Sequence, residues 1–163
     1  MKFQKTKLFW KMESGKRHIC CVSYDDNAEY YTFLRKCRDE GFRQVIVTSE
    51  IMIEIISNSY LKKDYSVYKI EFVEEDFELE SEMNTILQTI QKKPAYLSVL
   101  LEKLKFLSEK SSIDIKRIYI KSPYKEDGFD NFFIQSNGII GINEESFTSV
   151  STEIVSLVER CLL

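Results

Sequence analysis

The apolar residues of this chain switch repeatedly between a spacing of two and a spacing near 3.6, and the order of the switches limits the folds open to it. KLFWKM (7–12) and RHICCVSY (17–24) read as strands around the turn Glu13-Ser14-Gly15-Lys16. In residues 27–40, Tyr30, Phe33, Leu34 and Cys37 fall on one helical stripe, with Gly41 as the expected left-handed cap. RQVIVTS (43–49) is short and nearly all apolar, the pattern of a strand covered on both faces. EIMIEIISNSY (50–60) reads as a buried helix, and DYSVYKIEFV (64–73) as a strand with Tyr68, Ile70 and Phe72 alternating. Two helices follow, one ending near Pro94 and one carrying Leu97, Leu100, Leu101, Leu104 and Leu107. DIKRIYIK (114–121) is a strand, and NFFIQ and IIGIN flank Ser136-Asn137-Gly138, the strongest hairpin signal present. A last helix aligns Phe147, Val150, Ile154, Leu157, Val158 and Cys161.

The order is therefore ββ-α-β-α-β-α-α-β-ββ-α, or about seven strands and five helices. Its alternating middle predicts a three-layer α/β domain. The sheet should be mixed, with a partly parallel centre and antiparallel hairpins at its edges. No linker, repeat or low-complexity tract interrupts the pattern, so residues 1–163 are expected to form a single α/β domain. A chain of 163 residues, 44% hydrophobic and 30% charged, can bury a core without disulfide or metal staples. Charges break up the N-terminal segment MKFQKTKLFWKM, and no run of ~18 apolar residues occurs, so neither a signal peptide nor a membrane span is expected. Four cysteines without a CxxC pair suit reduced thiols in a cytoplasmic setting.

Common catalytic signatures are missing. There is no GxxxxGK[ST], GxGxxG or GxSxG. His18 shares a strand face with Cys20, and Cys37 and Cys161 could complete a zinc set, but the required spacings are absent. Buried small thiols are the preferred reading. The run of helix, three strands and helix from residue 95 onward resembles the core order of restriction-endonuclease-like folds. Asp130 stands near the first catalytic position, but Ile139–Asn143 offers neither the acid nor the Lys that the third strand needs.

In a parallel sheet, ligands sit beyond the carboxyl ends of the strands. Asp25 and Asp26 follow VSY, Thr48 and Ser49 follow VIV, Glu74, Glu75 and Asp76 follow IEFV, and Lys121 and Ser122 follow IYI. On one rim these groups would make a Mg²⁺ and phosphate pocket, with Asp25, Asp26 and Asp76 on the metal and Lys121 and Thr48 on the phosphate. The set resembles a response-regulator receiver domain, although VIVTS stands where the phospho-acceptor Asp belongs. VSYDD with the helix after it also resembles the start of a TIR-like domain. The plainer reading makes Asp25-Asp26-Asn27 a turn capping the next helix.

Charge is distributed unevenly. Residues 1–17 carry six bases and one acid, whereas EFVEEDFELESE (71–82) carries seven acids and no base, in a chain of net charge -3. The two patches could face each other within the fold or serve separate partners. Ser81 is a candidate N-cap, and acids near a helix start complement its dipole. That leaves the adjacent acids Glu74, Glu75 and Asp76, which with Glu78 form a candidate protein-binding loop. Phe3, Phe9 and Trp10 among the N-terminal lysines could take nucleic acid. Lysines protecting an edge strand explain them better.

These features predict a non-enzymatic protein-interaction or regulatory module, without cofactor and away from the membrane. It would dock a partner with a basic surface through an acidic loop; a second copy of the chain is a further candidate partner. The alternative is a Mg²⁺-dependent phosphate-handling enzyme or phospho-receiver-like domain.

Overall fold

The computed structural model describes residues 3–123 and 129–162. Among these, seven strands and five α-helices follow the order read from the sequence. They are β1 (Phe3–Glu13), β2 (Lys16–Ser23), α1 (Tyr30–Asp39), β3 (Arg43–Gln44), α2 (Ser49–Lys62), β4 (Ser66–Phe72) and α3 (Phe77–Lys92). After them come α4 (Leu97–Lys110), β5 (Ile115–Pro123), β6 (Phe129–Gln135), β7 (Ile139–Asn143) and α5 (Phe147–Leu162). The strands form one open sheet in the order β2-β1-β7-β6-β5-β4, with β3 paired to β1.

Every strand pairing is antiparallel, so the expected parallel centre is not there. The connections explain why. One crossover helix returns the chain to the start of a strand and makes a parallel neighbour. Between β4 and β5 lie two helices, α3 and α4, turning at Pro94. The second helix carries the chain back to the end where β4 finished, so β5 runs the opposite way.

The segment 45–48 also departs from the expected strand. It is not a central strand, since only Arg43 and Gln44 enter the ladder, against Trp10 and Phe9. Beyond them the chain crosses the end of the sheet. The Val45 N–H donates to Leu8 O (3.3 Å) and the Val47 N–H to Ser136 O (2.8 Å). The Ser49 hydroxyl donates to Asp114 (2.8 Å) and accepts from the Ile115 N–H (3.0 Å). Val45 and Val47 are buried while Ile46 is 53% exposed. An apolar run here closes the end of a sheet instead of filling its middle.

The strands alternate cleanly. Leu8 and Trp10 join the main core with Ile140, Ile142, Phe132, Ile134, Ile118 and Ile120, beside the apolar stripes of α2, α3, α4 and α5. Lys7 and Phe9 point the other way, to α1: Phe9 meets Phe33 at 6.0 Å and Phe42 at 5.6 Å between ring centroids. In β4 a bulge between Val67 and Lys69 shifts the alternation. Val67, Ile70 and Phe72 are therefore the buried set. Tyr68, expected beside Ile70 and Phe72, instead lies against Tyr119 at 5.7 Å.

The face away from α2–α5 is covered over β4, β5 and β6 by side chains in place of a helix. Phe3, Phe133, Tyr119 and Tyr68 form a continuous row, with successive centroids 5.4, 5.8 and 5.7 Å apart. Arg117 lies 4.5 Å over Phe133, Lys69 5.4 Å over Tyr119 and Lys121 5.0 Å over Tyr68. Tyr119 donates to Glu71 (2.7 Å) and accepts from Arg117 (2.8 Å). Burial pushes the Glu71 carboxyl up, but the Tyr119 hydroxyl, Arg117 and Lys69 outweigh it and leave it below the usual range. Gly141 makes room for this row, since a Cβ there would sit 2.0 Å from Phe133 Cε2.

Candidate functional site

The acidic stretch leaves β4 at the edge of the sheet and enters α3. Val73 still donates to Asp114 O (3.0 Å). Val73 and Glu74 form an exposed bend, and Glu75 is exposed just after it. Asp76, not Ser81, is the N-cap: its Oδ1 accepts from the Leu79 N–H at 3.1 Å. The helix thus begins five residues earlier than a Ser81 cap implies, which brings Leu79 onto its buried stripe with Met83, Ile86, Leu87 and Ile90. Glu78 and Glu80 fall in the first turn, where the helix dipole favours anions. Glu82 pairs with Lys103 at 3.2 Å.

Glu74 and Glu75 thus remain without a structural role, and among the described residues no ion pair involves Glu74, Glu75 or Glu78. Two apolar side chains flank them, Val73 at 62% and Phe77 at 83% exposure. A Phe this exposed beside a capped helix start buries little of its ring in its own chain. The loop therefore presents an aromatic ring inside a carboxylate fringe. The sequence shows this Phe plainly, but only the cap position reveals that it faces solvent.

The expected Mg²⁺ and phosphate rim is not assembled. Asp25 and Asp26 follow β2 at one edge of the sheet, and Asp76 follows β4 at the opposite edge. With alternate strands reversed, the carboxyl ends of β2 and β5 lie at the other end of the sheet from that of β4. Asp26 pairs with Lys5 at 2.9 Å, and Asp25 accepts from the Asn27 N–H at 2.9 Å in a local turn. Glu29, not this Asp-Asp-Asn turn, caps α1, accepting from Thr32 N at 2.9 Å. Thr48 caps α2 by accepting from Ile51 N at 3.3 Å. Lys121 lies over Tyr68. Among the described residues, no three His, Cys, Asp or Glu side chains are placed to hold a metal. His18, Cys20, Cys37 and Cys161 do not converge either, and all four cysteines are free thiols. The side chain of Asp130 lies outside the described residues.

The two charged patches do not face each other. Lys5, Lys7 and Lys11 lie on β1 and Lys16 and Arg17 on β2, and the acids follow β4, four strand steps from β1. A strand spacing of about 4.8 Å puts roughly 19 Å between them.

Two features escape sequence reading. Lys7 is fully buried. It donates to Asn137 O, with its ammonium 5.6 Å from the Phe9 ring and 5.9 Å from that of Tyr30. Burial lowers its pKa to about 8. Nothing in KTKLFW distinguishes Lys7 from its exposed neighbours. The second feature is a cleft of about 400 Å³ between α1 and residues 42–44. Phe9, Leu34 and Phe42 form its apolar wall, and Arg35, Arg38 and Arg43 line it with no carboxylate among them. Arg43 Nη1 donates to Phe42 O (3.1 Å) and Arg38 O (3.4 Å), which holds the guanidinium in place. The nearest acid pair is Arg38 with Asp39 at 3.9 Å, both largely exposed and worth little.

Among the described residues, no helix is long and apolar enough to cross a membrane. Family models, curated proteins and solved structures offer no match to this chain.

Proposed function

We propose that this protein is a non-enzymatic interaction or regulatory module, which docks a partner with a basic surface through the loop Val73–Glu78. One observation carries the reading: Phe77 is 83% exposed, beside three acids that make no ion pair among the described residues. A ring ringed by unpaired carboxylates suits an interface with an apolar anchor and a charged rim. The carboxylates would steer a basic partner in, and burial of Phe77 would hold it. The Mg²⁺-dependent alternative has less support, because Asp25, Asp26 and Asp76 are dispersed over opposite sheet edges.

Retention of partners from an extract of the native host tests this. Wild type should retain proteins that are lost with E74Q/E75Q/E78Q and lost again as salt rises, since exposed charges are screened beyond ~10 Å at 0.1 M. A retained set identical for wild type and variant at both salt levels would refute the docking loop. Titration with Mg²⁺, followed by NMR, tests the alternative. Joint shifts at Asp25, Asp26 and Lys121 would revive it.

A further inference from the structure

The arginine-lined cleft and the acidic loop are complementary in both charge and apolar content, and within its own chain the cleft has only exposed acids such as Asp39 beside it. The loop offers Phe77 with Glu74, Glu75 and Glu78 around it. The cleft offers an apolar wall of Phe9, Leu34 and Phe42 with Arg35, Arg38 and Arg43 around it, and its volume of about 400 Å³ exceeds what one aromatic ring needs. Tyr31 extends the rim and is 72% exposed.

Phe77 does not reach the cleft of its own molecule, since its side chain is 83% exposed. The cleft lies beside β1 and β3, and the loop follows β4 at the far edge of the sheet. Both are anchored: the loop by the Asp76 cap and the bond from Val73 to Asp114, the cleft by the pairing of Arg43 and Gln44 with β1. A partner that brings the loop to the cleft must therefore be another molecule.

The geometry points to a second copy of this chain as the occupant of the cleft, with Phe77 of one copy seated against Phe42 and Leu34 of the other. Glu74, Glu75 and Glu78 then face Arg35, Arg38 and Arg43, whose guanidinium forks suit carboxylates. The inference rests on the docking loop proposed above and names its partner. If loop and cleft of two copies engage reciprocally, the interface is isologous and closes as a dimer; if only one such contact forms, it is heterologous and association extends.

Sedimentation velocity over a concentration series, at low and high salt, tests it. The wild-type mass should rise above the monomer with concentration at low salt and fall back at high salt. Two variants separate the faces: E74Q/E75Q/F77A removes the loop, and R38E/R43E removes the cleft. Each should weaken self-association at least about ten-fold. Their equal mixture should form a one-to-one dimer and nothing larger, because one intact cleft and one intact loop remain. Circular dichroism and melting check that each variant folds, and R38Q/R43Q replaces the charge reversal if it does not. A wild type that stays monomeric at every concentration overturns the inference. So does a loop variant that associates like wild type, or a mixture that remains monomeric. The extract experiment separates the two proposals. A monomeric chain whose loop still retains basic partners fails here and keeps its docking function. A chain that pairs through its loop yet retains the same proteins with or without it does the reverse.

Discussion

At the scale of single residues, Gly141 and Lys7 carry the sharpest consequences. Phe133 lies on the backbone of Gly141, so Gly141→Ala drives a methyl into the ring, and neither backbone nor packed ring can yield cheaply. Overpacking of this kind costs ~1–3 kcal/mol or more. Urea unfolding should show at least that loss, and an unchanged midpoint would mean that the aromatic row is not packed as described. Lys7 imposes a pH dependence. Its pKa is about 8 in the folded chain against 10.5 in the unfolded one. Between those values the unfolded chain binds more protons, so stability rises with pH; below about 8 both states are charged and the burial cost stands in full. The gain amounts to about 3 kcal/mol across the window, at 1.36 kcal/mol per pH unit. Cys21 opposes it, because burial holds its thiol up to about 11 and stability is lost as pH climbs from 9.0 toward that value. Lys7→Met removes only the first effect. The difference in unfolding free energy between wild type and Lys7→Met should move toward wild type from pH 7 to pH 10; parallel profiles would show that Lys7 is not desolvated.

At the scale of elements, the start of α3 separates two caps that the sequence alone leaves open. Asp76→Ala should cost about 1 kcal/mol, whereas Asp76→Asn should cost little, because Asn caps as well as Asp. Ser81→Ala should change stability by less than ~0.5 kcal/mol, as surface substitutions do. A larger loss at Ser81 than at Asp76 would move the helix start. The last helix is anchored by Leu157, which is 1% exposed in the main core. Leu157→Ala should cost ~2–5 kcal/mol by thermal or urea unfolding. A loss below ~1 kcal/mol would mean that α5 contributes little to the core. These stripes were legible because a helix with one buried face must repeat near 3.6. The VIV segment was misread for a related reason. Burial alone decides its composition, and burial is the same at the end of a sheet as in its centre.

At the scale of the whole molecule, the metal-free reading has a direct test. Among the described residues no metal-holding cluster is assembled. EDTA should therefore leave the melting temperature unchanged, and a fall of several degrees would reveal a structural ion. By itself the sequence determined the α/β class, the order of the elements, the turns at Gly15, Gly41 and Gly138, and the apolar stripes. All of these depend on local periodicity and on backbone conformations that few residues adopt. Strand neighbours and directions depend instead on how crossovers pack, so the antiparallel sheet, and with it the dispersal of Asp25, Asp26, Asp76 and Lys121, was decided only in three dimensions. The same holds for the arginine cleft and for the exposure of Phe77. Arg35 and Arg38 are one helical turn apart, but Arg43 joins them only because β3 pairs with β1. Whether an aromatic ring meets core or water is set by the elements that close around it, and no spacing along the chain encodes that.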